Sequence, residues 1–398
     1  MINVTIIYPT DPFGVVPGGT DTCIRDILRC SPDDIQMNLV GVTTNPDSYP
    51  VGIWTKCEIN GRAFSFFPLM LVSSLKEQMR IPLSLQFTLR LIGKRKLLAD
   101  SDVIQFNRIE PALSVINLKK PKILIIHQNM NVIKNNRSDI RWKYFPGLYF
   151  KIEEYIINHL RSIFIVREDA VEEYKKRFPD KRDDIKFLPT WMNASMFFQL
   201  EKQEKLIARN NLSDIDVTDD EYLMIFVGRL DHQKDPIFLI QSLVSLNKKR
   251  KDWKMIIIGD GILRGEIESA IQKYNLYQKV SLTGAMSQED VSKYLRASDL
   301  LLLTSVYEGM PRCVVEALGC GLPVVSTRAG EVSLLIKQGE NGYIVDDRDP
   351  EEFSDKINKT INNLQHYNGA SSLDAVKQYT ASNVLEEVYD MYRRLGSE

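Results

Sequence analysis

The sequence predicts an α/β chain of two doubly wound parallel-sheet domains, and three observations carry that prediction. Short apolar runs recur along all 398 residues, separated by helix-length stretches, which is the pattern of βαβ units. The length suits two domains, at roughly 100–200 residues each. Hydrophobic residues make up 44% of the chain and charged residues 26%, ordinary globular usage that argues against extensive disorder.

In the first half, Val4–Tyr8, Asn38–Val42, Val103–Phe106, Ile123–Ile126 and Ile163–Val166 read as buried strands. A turn-rich loop, Pro9–Gly19, follows the first of them, and a helix is expected near Thr20, with the threonine hydroxyl as its cap. Leu188–Phe198 reads as the connection to the second domain, and Glu201–Glu221 as an exposed helix and loop. Strands are then expected at Leu223–Val227, Met255–Ile258, Val280–Leu282, Leu300–Leu303, Pro323–Ser326 and Tyr343–Val345, alternating with helices. Ala381–Leu395 reads as a terminal helix. The expected organisation is an N-terminal domain over residues 1–190, a second over 191–375, and a C-terminal helix over 376–398 that packs back on the first.

The net charge is -1, but it is unevenly placed. Through Lys186 there are 27 Lys and Arg against 21 Asp and Glu; after it there are 24 against 31. This balance excludes general nucleic-acid binding and gives the two halves different partners. Five cysteines without C-x-x-C spacing point to a reducing compartment rather than a disulfide framework or zinc site. The opening MINVTIIYPT lacks the pattern of a secretory signal, and no apolar run reaches a spanning length. The expected location is cytoplasmic, with peripheral attachment at the inner face of the membrane as an addition.

Two stretches carry the chemistry. Val227-Gly228-Arg229-Leu230-Asp231-His232-Gln233-Lys234 leaves the carboxyl end of a predicted strand, the edge where open α/β sheets bind ligands. Gly228 permits close approach to the backbone, and two cations suit a diphosphate, Arg229 gripping bidentately and Lys234 as a point charge. Downstream, Glu308-Gly309-Met310-Pro311-Arg312-Cys313-Val314-Val315-Glu316 follows another strand and opens a helix near Pro311. A helix N-terminus offers amides to phosphate, while two carboxylates eight positions apart suit sugar hydroxyls.

With Gly259-Asp260-Gly261 between these stretches and Asn341-Gly342-Tyr343-Ile344-Val345 after them, the second half resembles the retaining glycosyltransferases of family 4. Those enzymes have the GT-B fold, two Rossmann-like domains facing across a cleft. Pro17-Gly18-Gly19-Thr20, His127 and the Leu188–Phe198 segment extend the resemblance into the first half. It implies that Arg229 and Lys234 hold a donor diphosphate, that Glu316 binds the ribose and that Glu308 lies against the donor sugar. It also implies donor contacts at Gly228, Gly309, Met310, Pro311 and Val314. From the other domain, Gly18 and Gly19 would face the phosphates and His127 the sugar. The chain departs from the family pattern at Gly330-Glu331-Val332-Ser333-Leu334 and at Leu188-Pro189-Thr190-Trp191-Met192-Asn193, which bears on donor preference and hinge geometry.

The expectation is therefore a metal-independent hexosyltransferase that uses a nucleoside diphosphate sugar, UDP- or GDP-linked, as co-substrate and no other cofactor. The acceptor would be a glycan or lipid-linked glycan in cell-surface polysaccharide synthesis. Gly259-Asp260-Gly261 reads as pocket wall rather than a coenzyme loop, and the D-x-D matches at Asp214-Ile215-Asp216 and Asp347-Arg348-Asp349 as chance. Met70–Leu98 sets Lys76, Arg80, Arg90, Lys94, Arg95 and Lys96 among leucines, which fits either a core-facing helix with a solvated basic face or one on an anionic membrane surface. Lys119, Lys120 and Lys122 extend that patch. The rival readings are an epimerase or phosphorylase on the same fold, and a non-catalytic sugar-nucleotide-binding subunit.

Overall fold

The computed structural model describes residues 1–14, 19–73, 81–127 and 144–398. They form two compact units, Met1–Pro189 with Ser382–Glu398, and Thr190–Ala381.

The first unit holds an eight-stranded sheet built from β1 (Ile2–Ile7), β2 (Ile35–Thr43), β3 (Thr55–Ile59), β4 (Arg62–Leu71), β5 (Val103–Phe106), β6 (Lys122–Ile126), β7 (Ser162–Ile165) and β8 (Ile185–Phe187). Their order is β3-β4-β2-β1-β5-β6-β7-β8, and all pairs are parallel except β3–β4. The second unit holds β9 (Tyr222–Val227), β10 (Trp253–Ile258), β11 (Val280–Gly284), β12 (Leu300–Leu303), β13 (Val324–Thr327) and β14 (Gly342–Val345). These are all parallel, in the order β11-β10-β9-β12-β13-β14. Counting strands within the second unit, the order is the doubly wound 3-2-1-4-5-6, so the direction of winding reverses between β9 and β12. In the first unit the reversal falls between β1 and β5.

Continuous apolar strands are expected where both faces of a parallel sheet are covered. Along β9, Leu223 and Ile225 join one apolar core while Met224 and Phe226 join another, because successive side chains leave opposite faces. Trp253 and Trp191, both fully buried, are the largest side chains of the interior.

The expected strands are all present, Val103–Phe106 and Leu300–Leu303 with the expected ends and the others with ends moved by at most three residues. Three further strands were not expected. The β3–β4 hairpin closes through Asn60-Gly61, both at positive φ (52° and 79°), a turn chemistry that the sequence displays openly. The third, β8, is only three residues long. Thr20 does not cap a helix: the helix begins at Gly19 and runs to Arg29, which puts Thr20 in its first turn. The helix after Met310 spans Arg312–Gly319, with Pro311 as its N-cap residue.

The chain enters the second unit at Thr190 and leaves it at Ala381, and the two passages are bonded together there. Met192 N–H donates to Tyr379 O and Ala381 N–H donates to Met192 O. Beside them, Gly319 needs its lack of a side chain, since a Cβ would lie 2.0 Å from Met192 Sδ. The Ala381–Gly396 helix then packs on the first unit. Its Tyr389 hydroxyl donates to Ile27 O at 2.9 Å, and Arg393 pairs with Asp34.

Candidate active site

The second unit gathers Gly228, Arg229, Lys234 and Glu308 at the carboxyl ends of β9 and β12, the winding reversal. Lys234 Nζ donates to Glu308 Oε1 at 2.5 Å, with the two side chains only 15% and 9% exposed. Gly228 makes room for this: a Cβ there would lie 3.3 Å from the lysine's aliphatic stem. Burial alone would lower the Lys234 pKa, but the Glu308 carboxylate opposes it and the net direction is up. Ser305 Oγ donates to the same Glu308 oxygen at 2.6 Å. Arg229 differs in kind, being 56% exposed and held by Asp231 at 3.2 Å and Gln233 at 3.2 Å. The site thus offers one seated cation and one reaching into solvent.

Residues that sequence reasoning passed over hold the two loops together. Asp231 Oδ1 accepts from Lys234 N–H. Arg348 ion-pairs with Asp235 at 2.6 Å and donates to the carbonyls of Thr304 and Ser305, while Thr304 Oγ1 donates to Lys234 O. Asp235 sits at φ 43° and caps the Pro236–Lys249 helix by accepting from Phe238 N–H. Arg348 lies inside one of the D-x-D matches. Its neighbour Asp349 caps the Pro350–Asn362 helix, and Asp214 of the other match accepts from Tyr294. Among the described residues, no group of three or more His, Cys, Asp or Glu is placed to hold a metal ion.

Glu316 is buried in the Arg312–Gly319 helix, where Arg312 Nε donates to it at 2.8 Å and Gln288 at 3.4 Å. Met310 and Val314 are buried too, and Met310 O accepts from Thr190 Oγ1 at 2.9 Å. Gly309 O accepts from Glu331 N–H. Gly330, at φ 59°, presses so closely on this loop that a Cβ would lie 1.9 Å from Gly309 O. The retained glycine of the departing segment is therefore a packing requirement. Gly259 and Gly261 have the same explanation, since their Cβ atoms would lie 1.8 Å from Gly228 O and 2.4 Å from Leu230 O. These two glycines let one loop lie against the next.

In the first unit, His127 directly follows β6. Asn107 Nδ2 donates to His127 Nε2 at 2.9 Å, and Asn107 Oδ1 accepts from Gln105 Nε2 at 2.9 Å. Tyr392 on the terminal helix donates to Gln105 Oε1. Tyr392 and Gln105 are fully buried and Asn107 nearly so. A donor aimed at Nε2 leaves the ring's proton on Nδ1. Burial pulls the His127 pKa down to about 4. Sequence reasoning found the histidine but not this chain, whose partners lie up to 287 residues apart. Gly19 opens the Gly19–Arg29 helix with open space where a Cβ would be, and Gly18 lies outside the described residues.

Residues 209–372 match the family model of the glycosyl transferases group 1. An uncharacterised glycosyltransferase of Methanocaldococcus jannaschii is 29% identical over 240 residues, 54% of this chain and 57% of that protein. The alpha-D-kanosaminyltransferase of Streptomyces kanamyceticus is 26% identical over 182 residues, 45% of this chain and 47% of that protein. The chain thus spans only about half of these relatives' length. Among solved structures, the sucrose-phosphate synthase of Thermosynechococcus elongatus superposes with a TM-score of 0.81 at 18% identity, over 100% of both chains. HepE of Anabaena, in complex with UDP and glucose, gives 0.72 at 15% identity over 99% of this chain and 100% of that one. At such identities the likeness is one of fold, and the fold is GT-B.

Proposed function

With residues 209–372 placed in the glycosyl transferases group 1 family, we propose that the chain moves a hexose-type sugar from a nucleoside diphosphate sugar to a hydroxyl of a glycan or lipid-linked glycan. Transfer retains configuration at the anomeric carbon and serves cell-surface polysaccharide synthesis. The observation that carries this reading is the Lys234–Glu308 pair beside the exposed Arg229, all at the winding reversal of the second sheet.

Arg229 leaves its light contacts to grip the diphosphate. Lys234 has three N–H donors, so it serves Glu308 and a phosphate oxygen together. As the bond to the sugar breaks, negative charge grows on the phosphate and these cations stabilise it. That phosphate takes the acceptor's proton, so no carboxylate nucleophile is invoked. Glu308, oriented by Lys234 and Ser305, accepts from the donor sugar, and Glu316 from the ribose. His127, neutral at physiological pH with its proton on Nδ1, is a hydrogen-bonding group for the sugar rather than an acid. Because the two cations supply the positive charge, the reading needs no metal and no cofactor beyond the donor. The UDP and glucose in the HepE structure support a UDP-sugar, with a GDP-sugar as the alternative. None of the five cysteines is in a disulfide, which supports a cytoplasmic location.

The test is calorimetric binding of UDP, GDP, ADP and NAD to the wild type and to an Arg229→Ala/Lys234→Ala variant. The expected result is one nucleoside diphosphate bound by the wild type and lost in the variant. Equal binding by both, or none by either, overturns the donor site. Turnover of a bound donor without any acceptor would indicate an epimerase, and binding with neither transfer nor hydrolysis a non-catalytic subunit.

A further inference from the structure

In the first unit the winding reverses between β1 and β5, and open α/β sheets bind ligands at such a point. His127 does not occupy it, because that residue follows β6. Tyr8 follows β1 directly, and Arg108 comes two residues after β5. Arg108 Nε and Nη2 donate to the two oxygens of Glu110 at 3.3 and 3.2 Å. The Glu110 side chain is 9% exposed, and Ser84 Oγ donates to it at 3.4 Å. The Arg108 side chain keeps 33% of its surface in solvent, and its Nη1 makes no hydrogen bond among the described residues.

The second unit has the same arrangement in other residues. At its own reversal Lys234 donates to a nearly buried Glu308, which a serine also serves. In each case a carboxylate holds a cation still without using all its donors. The two cations differ in shape. Glu110 takes the Nε–Nη2 side of the Arg108 guanidinium, and this leaves the Nη1–Nη2 end as a planar fork for two oxygens of one anion.

The surroundings keep that fork charged. Burial alone would lower the Arg108 pKa, but the Glu110 carboxylate opposes it and the net direction is up. Burial pushes the pKa of Asp21, the other carboxyl near Arg108, up, and the charge of Arg25 opposes this more than that of Arg108 does. Burial first and Asp21 second push the Tyr8 hydroxyl up, so it stays a neutral donor. The half of the chain through Lys186 is also the basic one, with 27 Lys and Arg against 21 Asp and Glu. Part of that charge is spent on the fold: the Lys122 ammonium is turned in and donates to the carbonyls of Leu118 and Lys120.

We propose that Arg108 seats an anionic substituent of the acceptor, a sugar carboxylate or a phosphate, on the end of its guanidinium that Glu110 leaves uncovered. The proposal rests on the transferase reading, which supplies the acceptor, and adds to it the acceptor's charge. Arg108 is then the residue by which the first unit selects a charged glycan over a neutral one.

The experiment titrates the full chain with methyl glucuronide, a phosphorylated methyl glucoside and plain methyl glucoside, with binding followed by saturation-transfer NMR. The wild type is compared with Arg108→Gln, Glu110→Gln and Arg108→Gln/Glu110→Gln. UDP and GDP binding and the thermal midpoint are measured on the same samples. One anionic glycoside should bind the wild type at least about tenfold more tightly than the neutral one, the scale of a hydrogen bond to a charged group. Whether that is the carboxylate or the phosphate names the source of the anion. Arg108→Gln should remove the preference, and so should the double variant, in which no carboxylate is left nearly buried without its cation. Glu110→Gln should keep the preference, because it removes only the competing carboxylate. Equal binding of charged and neutral glycosides, a preference that survives in the Arg108 variants, or no glycoside binding by the wild type overturns the proposal. A wild type that binds the anionic glycoside through Arg108 but binds no nucleotide overturns the transferase reading instead, and the anion site stands.

Discussion

The two units share a doubly wound run of parallel strands but brace their candidate site residues with different chemistry at the carboxyl edge. At the carboxyl ends of β9 and β12 stand charged groups, Lys234, Glu308 and Arg229, braced by Arg348 and Asp235. At the ends of β5 and β6 the candidate His127 is braced by neutral groups, Asn107, Gln105 and Tyr392, while the Arg108–Glu110 ion pair follows directly on β5. A doubly wound sheet provides the place but does not choose the chemistry. A seated ammonium and an exposed guanidinium suit an anion. An imidazole fixed in one tautomer suits a hydroxyl.

The sharpest way to break this contrast is to remove the charge from the second unit. Lys234→Ala should lower kcat by about 100- to 1000-fold, the scale of losing one preorganised donor at a site of growing charge. It should also cost about 3 kcal/mol of stability, because Glu308 is left nearly buried without its cation. Lys234→Ala/Glu308→Gln separates the two effects, and it should recover most of the stability and none of the transfer. Chemical denaturation and steady-state kinetics on the three proteins decide the matter. If the double variant regains turnover, Lys234 serves only to satisfy Glu308.

The charged site was the legible one. Glycine-to-lysine spacing after a strand and two glutamates eight apart lie in short stretches of sequence, although the Lys234–Glu308 contact that joins the two stretches spans 74 positions. Its braces were not legible. Arg348 reaches Asp235 across 113 positions, and the side chain that finishes the neutral chain, Tyr392, lies on a helix that returns from the far end of the sequence. Burial of a tyrosine hydroxyl says that it has a partner, but the partner's name is written only in the fold. Gly330 makes the complementary point. The sequence shows it as what remains of an altered motif, and its closeness to Gly309 O appears only once both loops are placed.

A smaller effect is expected in the first unit, through protonation rather than charge removal. An imidazole has an ordinary pKa near 6.5, and His127 is held at about 4. Below the ordinary value the unfolded chain takes up a proton and the folded chain does not, so stability is lost as pH falls from about 6.5 toward 4. Between pH 7 and 5 this amounts to at most about 2 kcal/mol. His127→Gln should remove that much of the pH dependence. Tyr392→Phe acts from the other end of the chain. It should cost about 1 kcal/mol and raise the share of His127 carrying its proton on Nε2, read from imidazole nitrogen shifts. Nucleotide binding by the second unit should stay unchanged. If the tautomer does not respond, the chain merely fills the core.

The smallest expected effect concerns the element that the first unit has and the second lacks, the β3–β4 hairpin at the sheet's edge. Its turn places Asn60 and Gly61 at positive φ, and a Cβ added at Gly61 meets nothing within 4 Å. Gly61→Ala therefore tests backbone conformation alone, without the collision that the same change at Gly330 would bring. The left-handed region should cost the alanine about 1 kcal/mol, seen as a lowered urea midpoint. Transfer rate and nucleotide affinity should match the wild type, because the hairpin lies outermost on the β4 edge, two strands from β1 and the winding reversal. A fall in kcat at unchanged stability would show instead that this edge contributes to acceptor binding. The difference between the two units would then extend beyond the residues at their strand ends.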